Sequence, residues 1–158
     1  MSLADWADLA TIFGVIALPL SAAAIWLQLR QQTLLATAAN TQALVELSSP
    51  FNLQLIQDPE MADLWVNGAK NYANFDSVKQ YRFQSMLIWW LILHENIYVQ
   101  KKNELLDPTV FSAWKYDLES FVRLQIGGLW PKLKPFFQAG FAAYVDDIIA
   151  NSDDPRPE

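Results

Sequence analysis

The chain has 158 residues, of which 53% are hydrophobic and 18% are charged, and its formal net charge is -6. This acidic balance, with only one short basic patch, argues against a nucleic-acid partner. The sequence has no cysteine, which excludes disulfides, thiolate nucleophiles and thiolate metal ligands. The length suits one membrane anchor and one helical domain of ordinary size.

The first long apolar segment covers residues 9–29 and carries no charge. About 20 helical residues match the ~30 Å hydrocarbon core of a bilayer. Trp6 and Trp26 would lie about 30 Å apart on a continuous helix, as expected for indoles at opposite interfaces. We predict a transmembrane helix over residues 9–29, preceded by an extracytoplasmic segment over residues 1–8. A buried helix of a soluble bundle is the alternative, because Pro19 interrupts the segment.

The charges on either side of this segment predict its orientation. Arg30 follows the segment directly, whereas Asp5 and Asp8 precede it. Basic residues near the end of a span favour the cytoplasmic side. We therefore expect a single-pass protein of the inner membrane with its C-terminal domain in the cytoplasm.

Small residues recur every three or four positions along the predicted span, so one face of the helix is nearly flat. Small side chains allow another helix to approach closely within a membrane. The abundance of alanine in spans, or contact with another helix of this chain, would also explain the pattern. At the end of the span and beyond it, the same face carries glutamines, which in a homo-oligomer would face the axis. Ordinary polarity at the membrane interface would also explain them. The predicted helix-association face consists of Ala10, Gly14, Ala17, Ser21, Ala24, Gln28 and Gln31.

The rest of the chain shows helical patterns and no strand pattern. We expect a helical extension over residues 30–48, a helical domain over residues 49–150 and a disordered tail over residues 151–158. The predicted fold class is therefore all-α, with a transmembrane helix, possible extension of that helix beyond the membrane, and a small helical bundle.

Three acidic residues mark predicted helix starts. Asp58 and Asp107 each precede a proline, and a carboxylate there can accept hydrogen bonds from the first-turn amides while the proline loses none. Asp76, or Ser77 beside it, is a candidate cap for another helix. Gly68 is expected to end the helix that starts after Asp58.

The helix predicted after Asp76 contains an uninterrupted apolar run at residues 86–93. This run is too short to span a bilayer, and apolar residues on all faces indicate a helix surrounded by others. We expect this helix at the centre of the bundle. A second span would place His94, Glu95 and Asn96 in hydrocarbon at a considerable cost in free energy.

His94 is the only histidine of the chain, and Glu95 follows it. Such a pair could act as an acid and base, as metal ligands or as a quinone contact. Adjacent helical residues point about 100° apart, so the two do not easily serve one small site. Hydrogen bonds within the bundle would also account for both. Because the sequence has no phosphate-binding glycine loop and no Gly-x-Ser-x-Gly motif, we predict no enzymatic activity, no cofactor and no metal.

The segment over residues 129–137, LWPKLKPFF, mixes aromatic side chains with two lysines, as segments at membrane interfaces do. Contact with anionic headgroups is one interpretation. Inward packing of the aromatic rings, with the lysines solvated, is the other. The candidate membrane-surface residues are Trp130, Lys132, Lys134, Phe136 and Phe137.

Several short motifs carry a resemblance: a span ending in QLRQQT, then DPEMADLW, then HEN-x-Y-x-Q followed by LLD and a downstream tryptophan. The chain resembles a loose group of uncharacterised bacterial single-pass membrane proteins with an N-terminal span and a C-terminal helical domain. The resemblance covers most of the chain and implies this topology and a bacterial origin, but no activity. It also draws attention to a candidate polar cluster of His94, Glu95, Asn96 and Tyr98.

These patterns predict a non-enzymatic, single-pass membrane protein whose partners are membrane lipid and itself or another membrane protein, contacted through the anchor. It would act as a homo-oligomer or as an accessory subunit of a larger membrane complex. A homo-oligomeric pore, with the small residues at its axis, is one alternative. An enzyme or ligand-binding domain with a pocket among Trp89, Trp90, His94 and Glu95 is the other.

Overall fold

Helices account for the secondary structure of this protein. The computed structural model describes residues 3–126 and 128–151, without the side chains of residues 3–12, 14, 16 and 125. No strand occurs among these residues, and the prediction of an all-α fold is confirmed. The described residues form six α-helices: α1 (Leu3–Gln57), α2 (Pro59–Asn71), α3 (Ser77–Lys102), α4 (Pro108–Phe121), α5 (Trp130–Leu133) and α6 (Ala139–Ala150).

Three of the helices begin at the predicted acidic caps. The carboxylate of Asp58 accepts hydrogen bonds from two first-turn amides of α2, at 2.9 and 3.1 Å. Asp76 accepts one from the Lys79 amide at 2.8 Å, and Asp107 accepts one from the Thr109 amide at 2.7 Å. The cap prediction is confirmed at all three positions, because these carboxylates bind amides that have no partner within the helix.

α1 continues through Pro50 instead of ending at Ser48. Proline removes one amide from the helical hydrogen-bond ladder. In the turn before it, the hydroxyls of Ser48 and Ser49 both donate to the carbonyl of Val45, at 3.1 and 2.6 Å. The carbonyl that loses its amide partner to Pro50 is that of Glu46, the residue after Val45, so the hydroxyl bonds lie beside this gap in the ladder.

The chain divides into two units, Met1–Ala39 and Asn40–Glu158. The first unit is helical, and its described side chains from residue 17 to residue 36 are exposed. Within the part of the chain that the structure describes, none of the helices has the length and apolar character needed to cross a bilayer. Part of the predicted span over residues 9–29 has no described side chains. The side chains of Trp6 and of the first two members of the association face, Ala10 and Gly14, also lie outside the described ones.

The second unit has a large hydrophobic core built from α2, α3, α4 and α6. Phe83, Leu87 and Leu91 of α3 and Phe141 and Val145 of α6 are fully buried in it. The apolar run predicted at the centre of the bundle therefore lies in the core, with the exception of outward-facing positions such as Ile92.

The second unit begins before the predicted domain start at residue 49. Leu44 is fully buried in a smaller cluster with Leu93, Ile97 and Leu106. Four residues before it, the side chain of Asn40 donates a hydrogen bond to the Leu105 carbonyl at 3.2 Å. The C-terminal part of α1 is thus an integral helix of this unit.

Gly68 does not end α2, so that prediction is wrong. α2 continues to Asn71, and Gly68 is a buried residue within it. A Cβ atom at this position would overlap the ring of Phe83, which is fully buried. Gly68 therefore allows α2 and α3 to approach each other closely.

Candidate functional site

A cavity of about 380 Å³ lies within the second unit, at the meeting point of four helices. Its volume falls in the usual range for sites that hold a small molecule. Aromatic rings dominate the lining, and the polar groups are a hydroxyl, an amide and a carboxylate. The lining residues are Ser48, Phe51, Asn52 and Leu55 of α1, Trp65 of α2, Trp89, Trp90 and Leu93 of α3, and Ala113, Trp114, Asp117 and Phe121 of α4.

Helical spacing explains why these residues converge. The α1 residues stand at relative positions 0, 3, 4 and 7, counted from Ser48, and therefore share one face of the helix. Ala113, Asp117 and Phe121 of α4 follow one another at intervals of four residues. α1 and α4 thus each turn one continuous face toward the cavity.

The aromatic rings hold one another in place. Trp65 and Phe121 stack with their centroids 4.5 Å apart, and the rings of Trp90 and Phe121 lie 4.2 Å apart. Phe51 stacks on Trp89 at 4.9 Å and meets the edge of Trp65 at 5.0 Å. Because each large ring has one or more ring neighbours, the cavity wall is formed in advance of any ligand.

The Phe51 and Trp89 pair also lines a second cavity of about 370 Å³. This neighbouring space has a predominantly apolar wall that includes Pro50, Met61 and Met86. The stacked pair therefore lies between the two spaces. A rotation of either ring would change the room available to a bound molecule.

One ionisable side chain lines the main cavity among the described residues, that of Asp117. Its Oδ2 atom lies 3.4 Å from Nε2 of His94, which is buried directly behind it with 2% of its surface exposed. The Nδ1 atom of His94 lies 3.0 Å from the Trp90 carbonyl oxygen. Because a carbonyl oxygen only accepts hydrogen bonds, Nδ1 carries the hydrogen and donates it.

His94 is fixed by ring contacts as well. Its ring centroid lies 3.8 Å from that of Trp90 and 5.6 Å from that of Trp114, both of which line the cavity. The imidazole thus supports two cavity walls and faces the carboxylate, although Nε2 has no hydrogen-bond partner among the described residues.

The other members of the predicted polar cluster lie apart from this site. Glu95 accepts a hydrogen bond from the Gln138 amide at 2.7 Å, just before α6. Because Gln138 offers no side-chain cap of its own, Glu95 fixes the start of α6 against α3. Adjacent helical residues point in different directions, and the structure accordingly places His94 and Glu95 at different sites.

Asn96 and Tyr98 have structural surroundings. Asn96 is exposed and accepts a hydrogen bond from the Gln100 side chain at 2.8 Å. Tyr98 is half-buried and stacks on Tyr144 of α6, with their ring centroids 5.4 Å apart. Neither residue lines the aromatic cavity.

Lysine and tyrosine side chains line a separate cleft of about 340 Å³. Lys101, Lys102 and Lys115 line it together with Tyr98 and Tyr144. Burial, and after it the negative charges of nearby carboxylates, raises the pKa of Tyr144 to about 12. The three lysines of this cleft do not line the aromatic cavity.

The predicted helix-association face is solvent-exposed where its side chains are described. Ala17, Ser21, Ala24, Gln28 and Gln31 are all exposed. Association of this face with a partner stays a prediction.

The membrane-surface candidates are divided between core and solvent. Trp130 is buried, and its indole donates to Oδ1 of Asp146 at 2.8 Å. Lys134 donates to the other oxygen of the same carboxylate at 2.7 Å. Hydrogen bonds from Lys134 and then Trp130 lower the pKa of Asp146. This part of the segment is tied to α6.

The remaining three candidates differ in exposure. Phe137 is half-buried and stacks on Trp130 at 5.8 Å. Lys132 lies over the Tyr72 ring at 5.7 Å. Phe136 is 65% exposed. Contact with lipid headgroups stays a prediction. Phe136 is the exposed apolar side chain that would take part in it.

Sequence reasoning placed Trp89, Trp90 and His94 near a pocket but missed the residues that complete it. Asp117 and Phe121 come from α4, and Phe51 and Asn52 come from the part of α1 that continues beyond residue 48, the predicted end of the helical extension. Helical spacing of aromatic residues on several segments was the available signal. No group of three or more potential metal-ligating side chains occurs in the described part of the chain.

Comparisons of the chain with protein-family models, with curated proteins and with solved structures find no match. The geometry of the cavity and the pattern of exposed residues are therefore the basis for a functional assignment.

Proposed function

We propose that this chain is a non-enzymatic, membrane-anchored protein whose second unit binds a small organic molecule in the aromatic cavity. The observation that carries the proposal is the cavity of about 380 Å³, lined by six aromatic side chains and a single carboxylate. Apolar walls with a few convergent polar groups are typical of small-molecule sites. The carboxylate would orient the bound molecule.

Binding can be tested with fluorine NMR of the full chain in lipid nanodiscs, with fluorotryptophan at its seven tryptophan positions. The probes are choline, its uncharged isostere neohexyl alcohol, and the anion tert-butylacetate. We expect at least one probe to shift the resonances of Trp89 and Trp114, each assigned by replacement with phenylalanine. Absence of a saturable shift with all three probes would overturn the binding proposal.

A pair of variants provides the control. Ala113 lines the cavity, whereas its neighbour Ser112 does not and its hydroxyl donates to the Pro108 carbonyl at 2.9 Å. Ala113→Phe fills the cavity and should abolish the shifts. Ser112→Phe adds a similar ring outside the cavity and should leave them in place.

The anchor of this proposal is the helix over residues 9–29, with the C-terminal domain on the cytoplasmic side of a bacterial inner membrane. Its support is the uncharged sequence of the segment and the exposure of Leu18, Leu20, Ile25 and Trp26. Large apolar side chains exposed around a helix favour a lipid or protein environment. A cysteine placed at Ser152 should resist an impermeant thiol reagent applied to intact cells, and labelling from outside would overturn the orientation.

Self-association through the anchor is a second candidate function. The small residues Ala17, Ser21 and Ala24 are exposed and give the helix one flat face, which favours close approach of another helix in a membrane. Native mass spectrometry should show an oligomer that Ser21→Leu dissociates, whereas Leu20→Ile, on a different face, preserves it. A monomeric full chain would overturn this candidate.

A further inference from the structure

The charge of the aromatic cavity is negative. Asp117 is the one ionisable residue among the described side chains that line it. Lys115, two residues away on α4, lies instead in the lysine and tyrosine cleft and pairs with Glu119 at 3.5 Å. A ligand in the cavity therefore meets one carboxylate and no ammonium or guanidinium group from the described chain.

The carboxylate of Asp117 has no hydrogen-bond donor in the described part of the chain. The imidazole of His94 lies beside it, but at 3.4 Å the Nε2 atom makes no hydrogen bond. The hydrogen that His94 donates to the Trp90 carbonyl is on Nδ1, on the other side of the ring. A buried, unpartnered nitrogen and a carboxylate oxygen thus face each other, and the carboxylate remains free to attract a cation.

The cavity walls suit a cation that carries apolar substituents. Trp65, Trp89, Trp90 and Trp114 provide four indoles, and indole is the ring that attracts cations most strongly. Alkyl groups around a nitrogen cation bury apolar surface against these rings and require no hydrogen-bond acceptors. A primary ammonium has three N–H donors and would instead depend on Asp117, the Ser48 hydroxyl and the Asn52 amide oxygen as acceptors.

We propose that the cavity takes an alkylated organic ammonium cation, with its charged nitrogen between the indole faces and Asp117. This inference rests on the proposed function, since it names the class of molecule that the cavity binds. The aromatic walls supply the contact area, and the carboxylate distinguishes a cation from a neutral molecule of equal shape.

The test compares the affinities of choline, neohexyl alcohol and tert-butylacetate for the full chain in nanodiscs, followed by fluorine NMR of the labelled tryptophans. The three probes share a compact branched group and differ in charge. Because the Asp117 side chain is 55% exposed, solvent screens part of its attraction. We expect choline to bind roughly 3- to 30-fold more tightly than the alcohol, and the anion to bind most weakly.

Asp117→Asn removes the charge and nearly preserves the shape. It should reduce the preference for choline and leave the affinity for neohexyl alcohol unchanged. Asp63→Asn is the matched control, because Asp63 is an exposed carboxylate of α2 that does not line the cavity. This control variant should retain the choline preference of the natural chain.

The outcomes separate the ligand class from the binding function. Equal affinities for choline and the alcohol in the natural chain would overturn the cation proposal and leave the binding function standing. Absence of binding by all three probes would overturn both. An equal loss of choline and alcohol binding in Asp117→Asn would show a structural effect and would also count against the charge-based selectivity.

Discussion

The Nε2 atom of His94 lies 3.4 Å from Oδ2 of Asp117, with the imidazole buried and the carboxylate at the wall of the aromatic cavity. The buried member of the pair is held by the Trp90 carbonyl and by two indole rings. The carboxylate, which is the member open to a ligand, stands on a different helix. The pair therefore connects the core of the domain to its candidate site.

His94→Phe tests this connection. Phenylalanine keeps a ring between Trp90 and Trp114 but removes both nitrogens. We expect a loss of about 0.5–1.5 kcal/mol in the free energy of unfolding, because the side-chain hydrogen bond from Nδ1 to the Trp90 carbonyl is lost. Choline binding should be retained, since Nε2 makes no hydrogen bond with Asp117 and the cavity lining is unchanged. Denaturant unfolding and choline titration measure the two properties, and a variant as stable as the natural chain would contradict the contribution of the Trp90 contact.

Glu95 makes a different prediction, because it caps α6 from another helix. Glu95→Ala removes the acceptor of the Gln138 amide and should destabilise the domain by about 0.5–2 kcal/mol, as the loss of an N-cap does. Glu95→Gln keeps an acceptor oxygen and should cost less. Asn96→Ala, on the exposed neighbouring position, is the control and should be nearly neutral in thermal unfolding. Equal stability of the Glu95→Ala variant and the natural chain would contradict the capping role.

Gly68→Ala has two opposing effects on stability, one through helix propensity and one through packing against Phe83. Alanine favours a helix interior by about 1 kcal/mol over glycine. Here its Cβ would overlap the buried ring of Phe83, and we expect a net loss of about 1–3 kcal/mol in stability. At Gly140 a Cβ would meet the Tyr98 hydroxyl at an ordinary 3.5 Å, so Gly140→Ala should be neutral or stabilising. A Gly68→Ala variant as stable as the natural chain would show that α2 and α3 are further apart.

The cap at Asp107 predicts a pH dependence. Hydrogen bonds from Thr109, the backbone amide first, lower the pKa of the Asp107 carboxyl in the folded state. A lowered pKa contributes stability above the unfolded value of about 3.9, and this contribution disappears as the pH falls through the folded value. Asp107→Asn keeps an acceptor without the charge. The stability difference between the natural chain and this variant should shrink as the solution is acidified through that range.

Thermal unfolding at a series of pH values measures this difference. Ser112→Ala leaves the cap carboxylate unchanged and should follow the pH profile of the natural chain. A difference between the natural chain and Asp107→Asn that stays constant with pH would mean that the charge of the cap does not contribute.

Local signals in the sequence predicted the helices well. The aspartates at positions 58, 76 and 107 act as caps because a carboxylate before a first turn binds amides whatever the rest of the fold does. The prediction that Gly68 ends α2 was wrong because the role of this glycine is not local. Its role depends on the ring of Phe83 in another helix, and nothing in the local sequence records that contact.

The site was predictable only in part. Trp89 and Trp90 stood out as indoles beside the lone histidine of α3. Asp117 did not, because a carboxylate with polar neighbours on an amphipathic helix usually faces solvent. The pairing of Asp117 with His94 depends on how α4 packs against α3, and the contribution of Phe51 depends on α1 continuing through Pro50. Long-range packing of this kind leaves no spacing pattern within one segment.

The central claim is that the aromatic cavity binds an organic cation, and photolabelling of the full chain tests it most directly. The probe azidobenzyltrimethylammonium, activated by light in nanodiscs, should attach within residues 48–55, 89–93 or 113–121, which form the cavity wall. Excess choline and the Ala113→Phe variant should each suppress this labelling. Labelling confined to the lysine and tyrosine cleft or to α6, with no protection by choline, would contradict the claim.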